Sequence, residues 1–199
     1  PDTLVLGWDW DNHHHLHISS IFALNVDFYF PAHRAHDFEL TRLCAFNQHV
    51  ALSGYQWSRK TLVGNFDVIL GTDRSVDAFG GFVPYGMFVY RNKVISTLNN
   101  TLPNVRLLSL HAPDDPARAA NLADYHSKSD REKITEWSSG KWHWVVPTLN
   151  DLSTRVFDAL LCGTGVVLPT AFRNFQELQS VDPRDVVWYS EVDVLDTRR

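Results

Sequence analysis

Cysteine is scarce in this chain of 199 residues: Cys44 and Cys162 are the only two, and no CxxC pair exists. That spacing argues against a zinc knuckle or a disulfide framework, and the apolar surroundings of both residues predict buried thiols in a reducing compartment. Long hydrophobic runs are missing as well. No window approaches the ~18 uncharged apolar residues of a membrane span, and the opening Pro1-Asp2-Thr3-Leu4 does not read as a secretory signal. Positive charge is in the minority, with 18 Lys and Arg against 23 Asp and Glu for a formal charge of −5. The cations are also scattered, which argues against a nucleic-acid backbone as the main partner. No GxGxxG follows any candidate strand, so a redox dinucleotide enzyme is disfavoured. Internal repeats and low-complexity tracts are absent. The expectation is a cytoplasmic protein, with any peripheral membrane association running through regions outside this chain.

An apolar share of 44% in 199 residues supports one large α/β domain or two small lobes without metals or bridges. Short apolar runs alternate with helical patterns, the signature of βαβ units and a mainly parallel sheet. Strands are predicted at residues 4–7, 27–30, 50–53, 67–70, 105–108, 142–146, 166–168 and 186–189. Helices are predicted at 17–24, 36–46, 91–102, 153–162 and, as a short one, 172–178. Residues 73–85, with Gly80-Gly81 and Pro84, read as an irregular connection that divides an N-terminal Rossmann-like lobe (1–85) from a C-terminal one (86–199). Residues 111–137 carry three Asp-rich clusters and read as an exposed connection, partly helical at best. Both ends look cut, so a fragment of a larger enzyme is expected.

The most informative run extends from Trp142 to Pro169 and reads strand, loop, helix, glycine stop, strand. Leu152, Val156, Phe157, Leu160 and Leu161 recur at the spacing of one buried helix face. Asn150 or Asp151 can cap the start, and Gly163 can take the left-handed conformation that ends a helix. A helix starting at the carboxyl end of a parallel strand suits a phosphate, to which Ser153 and Thr154 add hydroxyls and Arg155 a charge. The alternative is a core helix with polar caps and an Arg155 that faces water.

The segment Arg155-Val156-Phe157-Asp158-Ala159-Leu160-Leu161-Cys162-Gly163-Thr164-Gly165-Val166-Val167 is similar to the donor-binding helix of GT-B glycosyltransferases, where an acidic residue, Ala, apolar residues, Gly and a small residue lead into a Val-rich strand. The resemblance implies that Asp158 hydrogen-bonds the nucleotide ribose. Asn150 stands where the family often has a Glu that contacts the donor sugar, and Asp158 is shorter than the usual Glu. The resemblance covers roughly residues 86–190.

A second dense site follows the first predicted strand: Trp8-Asp9-Trp10-Asp11-Asn12-His13-His14-His15-Leu16-His17, with Pro31-Ala32-His33 after the next. Loops at the carboxyl ends of parallel strands are where α/β enzymes place chemistry. Three readings stay open. A divalent ion could be ligated, since Asp9-Trp10-Asp11 imitates the DxD motif of GT-A glycosyltransferases. A carboxylate could act as base or nucleophile with His13 or His33 as proton carrier. A hydrogen-bonded polar loop is the third. Together with Gln56-Trp57-Ser58-Arg59, Arg91-Asn92 and Glu136-Trp137-Ser138-Ser139, the cluster resembles bacterial surface-polysaccharide glycosyltransferases, retaining β-Kdo transferases that use CMP-Kdo among them. That resemblance implies a carboxylate nucleophile, for which Asp9 and Asp11 are the candidates.

The predicted function is transfer of a sugar from a nucleotide-activated donor to a glycan acceptor, with no obligatory metal. The donor would lie against His143, Asn150, Ser153, Thr154, Arg155 and Asp158. Competing readings are a metal-dependent hydrolase on Asp9, Asp11, His13 and His15, and a non-catalytic carbohydrate- or nucleotide-binding module.

Overall fold

The computed structural model describes residues 3–8, 28–30, 34–35, 47–48, 57–82, 88–109, 123–124, 126–147 and 151–196. Three short strands, β1 (Leu6–Trp8), β2 (Phe28–Phe30) and β4 (Asn47–Gln48), form a small parallel sheet in the order β1-β2-β4. The two-residue β3 (Arg34–Ala35) pairs antiparallel with β8 (Asp151–Leu152), Arg34 opposite Leu152. The predicted helices at 17–24 and 36–46 and the strand at 50–53 lie outside the described residues.

The larger sheet holds β5 (Val76–Phe82), β6 (Val105–Ser109), β7 (Gly140–Trp144), β9 (Gly165–Pro169) and β10 (Val186–Tyr189) in the order β10-β9-β7-β5-β6, every pair parallel. Helices cover both faces, so the expected α/β, Rossmann-like architecture is observed. In chain order these strands run 2-1-3-4-5, one of the two common doubly wound arrangements. Strand residues alternate between two cores. Phe79, His143, Val145, Val166 and Leu168 point to one face, where α1 (Arg59–Gly64), α2 (Phe66–Gly71), α4 (Asp130–Ser138) and α5 (Arg155–Leu161) pack through Leu62, Ile69, Ile134, Trp137, Val156 and Ala159. Phe82 and Val146 point to the other, under α3 (Val89–Thr101) and α6 (Glu191–Leu195). No helix among the described residues is long and apolar enough to cross a membrane.

Three sequence expectations are corrected. Residues 67–70 are not a strand but the middle of α2, in which Val68 and Ile69 are buried while Asp67 and Leu70 face outward. A four-residue apolar run does not distinguish strand from helix, and here burial of two adjacent residues matches the helical turn. The connection expected at 73–85 holds β5, whose strand is flanked by β6 and β7 inside the sheet. Gly80-Gly81 reads as a breaker locally, yet both glycines are paired with β6, Gly80 opposite Leu107 and Gly81 opposite Leu108. The sheet therefore begins before the boundary expected near residue 85. The third correction concerns exposure: the stretch 111–137, expected to be exposed and partly helical at best, ends in α4, whose Ile134 and Trp137 are buried.

Ser129 starts α4 with a reciprocal capping box: its Oγ accepts from the Glu132 N–H at 3.3 Å, and the Glu132 carboxylate accepts the Ser129 N–H at 2.7 Å. Ile134 and Trp137 then bury its inner face. Ser129→Ala leaves the Glu132 N–H without its side-chain acceptor and is expected to cost about 1 kcal/mol, read as a lower urea midpoint with an unchanged slope.

Gly165 has no room for a side chain. A Cβ there would stand 2.5, 2.6 and 3.2 Å from Cζ3, Cε3 and Cη2 of Trp142. Gly165→Ala should destabilise by about 1–3 kcal/mol through overpacking, and pairing it with Trp142→Leu should recover part of the loss in the same melts.

Candidate functional site: the crest between β5 and β7

The chain leaves β5 for α3 on one face of the sheet and reaches α5 on the other face after β7. Helices diverging in this way open a crevice at the carboxyl ends of the two strands, the place where open α/β sheets bind ligands. Arg155, the first residue of α5, reaches into it. Its Nη1 donates to the Gly81 carbonyl, near the end of β5 and 74 residues away in sequence. Arg155 is half-buried, and among the described residues no carboxylate lies in ion-pair range of it.

The start of α5 differs from the sequence expectation. Asp151 lies in β8 rather than at a cap, and Asn150 is outside the described residues. Ser153 does the capping, its Oγ accepting the Arg155 N–H at 3.3 Å. The next N–H groups are also engaged: Val156 donates to the Ser153 carbonyl, and Phe157 and Asp158 donate to that of Thr154. The backbone of this turn is thus spent on itself, and the Arg155 side chain is the donor that α5 turns toward the crevice. The helix ends as expected. Gly163 has φ 70°, its N–H donates to Leu160 at 2.9 Å, and that of Thr164 donates to Ala159 at 3.0 Å, which together make a Schellman motif.

His143 lies beneath this edge. It is buried, its ring stacks on Trp137 at 4.5 Å and 21°, and it leans on Phe79 at 5.5 Å. Its Nδ1 has no hydrogen-bond partner among the described residues. Burial, with the nearby charge of Arg155 as a second cause, pushes the imidazole down to about 3, so it is neutral at physiological pH. A neutral imidazole adds no charge beneath this edge and packs as one more ring between Trp137 and Phe79.

Asp158 faces inward rather than toward solvent, 1% exposed, and its charge assists burial in pushing the Cys162 thiol up to about 12. Leu161, expected on the buried face, is 43% exposed, because the inner face of α5 is Val156, Ala159 and Cys162 with Asp158 beside them. The structure therefore brings His143 and Arg155 to the crest, with Ser153 and Thr154 forming the turn that aims Arg155. Asp9, Asp11, His13, His15 and His33 lie outside the described residues.

Sequence reasoning assigned no separate role to Arg91. Buried in the first turn of α3, it donates from Nε to the Val146 carbonyl at 3.0 Å and lies 5.4 Å from the Phe82 ring centre. It reaches the end of β7 from the face opposite Arg155. The available signal was an arginine in the first turn of the helix that follows a parallel strand. No protein-family model matches the chain, and no curated protein matches it.

Proposed function

We propose that this chain binds a nucleotide-activated sugar at the crest between β5 and β7 and is the donor-binding part of a GT-B-type glycosyltransferase, transferring the sugar to a glycan acceptor. The observation that supports this reading most is Arg155: a half-buried guanidinium at the switch point of a doubly wound sheet, with no carboxylate in ion-pair range among the described residues. A cation in partial burial favours an anion with several oxygen acceptors, and the donor's phosphate is that group. As the glycosidic bond breaks, negative charge grows on the phosphate oxygens of the leaving nucleotide. A guanidinium already in place stabilises that charge without reorganisation and without a metal. Asp9 or Asp11, with His13 or His33, supplies the base or nucleophile in this proposal, and CMP-Kdo is one donor that fits the resemblance.

Calorimetric titration with CMP, UDP and GDP in the presence of EDTA tests it. Micromolar binding of one nucleotide names the donor class. Failure of all three to bind removes the proposal.

A further inference from the structure

We propose that the opposite face of the large sheet, beside Trp142, binds a small, flat, uncharged aromatic molecule at a site separate from the crest. Parallel sheets are normally covered on both faces. Here α3 and α6 meet over the carboxyl half of the sheet, and an open pocket of about 370 Å³ remains below them. That volume lies in the range of small-molecule sites, roughly 300–1,000 Å³.

The shape of the pocket argues for a flat ligand. Trp142 lies face-on to Gly165, three of its ring atoms within 3.2 Å of the missing Cβ position, so the indole rests flat on the β9 backbone as a platform. Trp144 and Tyr189 make a wall, their rings 4.9 Å apart and tilted by 55°. The Tyr189 hydroxyl is spent on the Val145 carbonyl at 3.0 Å, which leaves the ring as its contribution. Aromatic rings favour offset or edge contacts with such surfaces.

The charge of the lining argues for a neutral one. Among the described lining residues Asp77 is the single ionisable side chain other than Tyr189, and Lys141 pairs with it at 2.5 Å. Among the described residues no Ser, Thr, Asn or Gln lines the pocket, so a polyhydroxylated ring would lose hydration without finding partners there. Size favours a small molecule over a protein: ten of the described residues line the pocket, against about 20–30 a side in a stable protein interface. Arg155 approaches the sheet from the other face, so occupancy here is independent of the nucleotide proposal.

Indole is the probe, titrated into the full chain while the tryptophan indole N–H resonances are followed by NMR, with the Trp142 signal assigned through Trp142→Phe. The expected result is a saturable shift at Trp142, unaffected by nucleotide. Cyclohexanol, similar in size but not flat, should bind at least tenfold more weakly. Val187→Arg places a long cation at the pocket's exposed edge, where Val187 is 42% exposed and the fold is spared, and should weaken indole at least tenfold. No saturable shift, an unchanged affinity in Val187→Arg, equal binding of cyclohexanol, or displacement of indole by nucleotide would each overturn the proposal.

Discussion

Arg155→Ala is expected to weaken binding of the preferred nucleotide by roughly tenfold to a hundredfold, the factor that corresponds to about 1.5–3 kcal/mol for hydrogen bonds to a charged group. The loss follows from position. Arg155 reaches the end of β5 with one N–H on the Gly81 carbonyl, and the rest of its fork is not committed to a carboxylate among the described residues. Arg155→Lys keeps the charge but not the planar fork and should fall between the two. Because the attraction is Coulombic and the site is only half-buried, raising the salt should weaken wild-type binding more than that of Arg155→Ala. The alanine variant should fold, since what it loses inside the protein is one hydrogen bond, worth about 1 kcal/mol. Calorimetry on the three proteins at two ionic strengths decides the matter, and an alanine variant that binds like wild type sinks the assignment of Arg155.

The second large effect concerns acid. His143 has a folded value of about 3 against an ordinary 6.5, so between those pH values the unfolded chain takes up a proton that the folded protein refuses. Stability is then complete above about pH 6.5 and is lost as pH falls toward 3, by up to about 1.4 kcal/mol per pH unit. At pH 4.5 the loss from this residue is roughly 2–3 kcal/mol. His143→Phe preserves a flat ring against Trp137, removes the titrating group and removes the unpartnered Nδ1. It should match or exceed wild type at pH 7 and outlast it increasingly on acidification. Urea melts of both proteins at pH 7 and 4.5 give the comparison. Parallel pH dependences would show that His143 does not carry the acid sensitivity.

Short apolar runs made β6, β7, β9 and β10 legible in the sequence. The periodicity of α3 was legible too, as was the Gly163 stop after α5, where only a residue free of a Cβ sits easily at positive φ. Three elements were not. Gly80-Gly81 hides β5, α2 is too short to show a period, and α4 carries so much surface charge that Ile134 and Trp137 alone mark its inner face. The choice of Arg155 came from its neighbourhood in sequence. Its partner did not, because Gly81 is 74 residues distant.

By itself, then, the sequence determined the class of fold and the helix and glycine stop of the proposed donor-binding stretch, because apolar period, caps and glycine stops act over a few residues. The tertiary structure alone decided that β5 lies between β6 and β7, that Asp158 turns inward and Arg155 toward the crest, and that His143 is stripped of water beneath it. These outcomes depend on which strands pair and on what each helix meets across the core, long-range choices in which burial and charge compensation outweigh local preference.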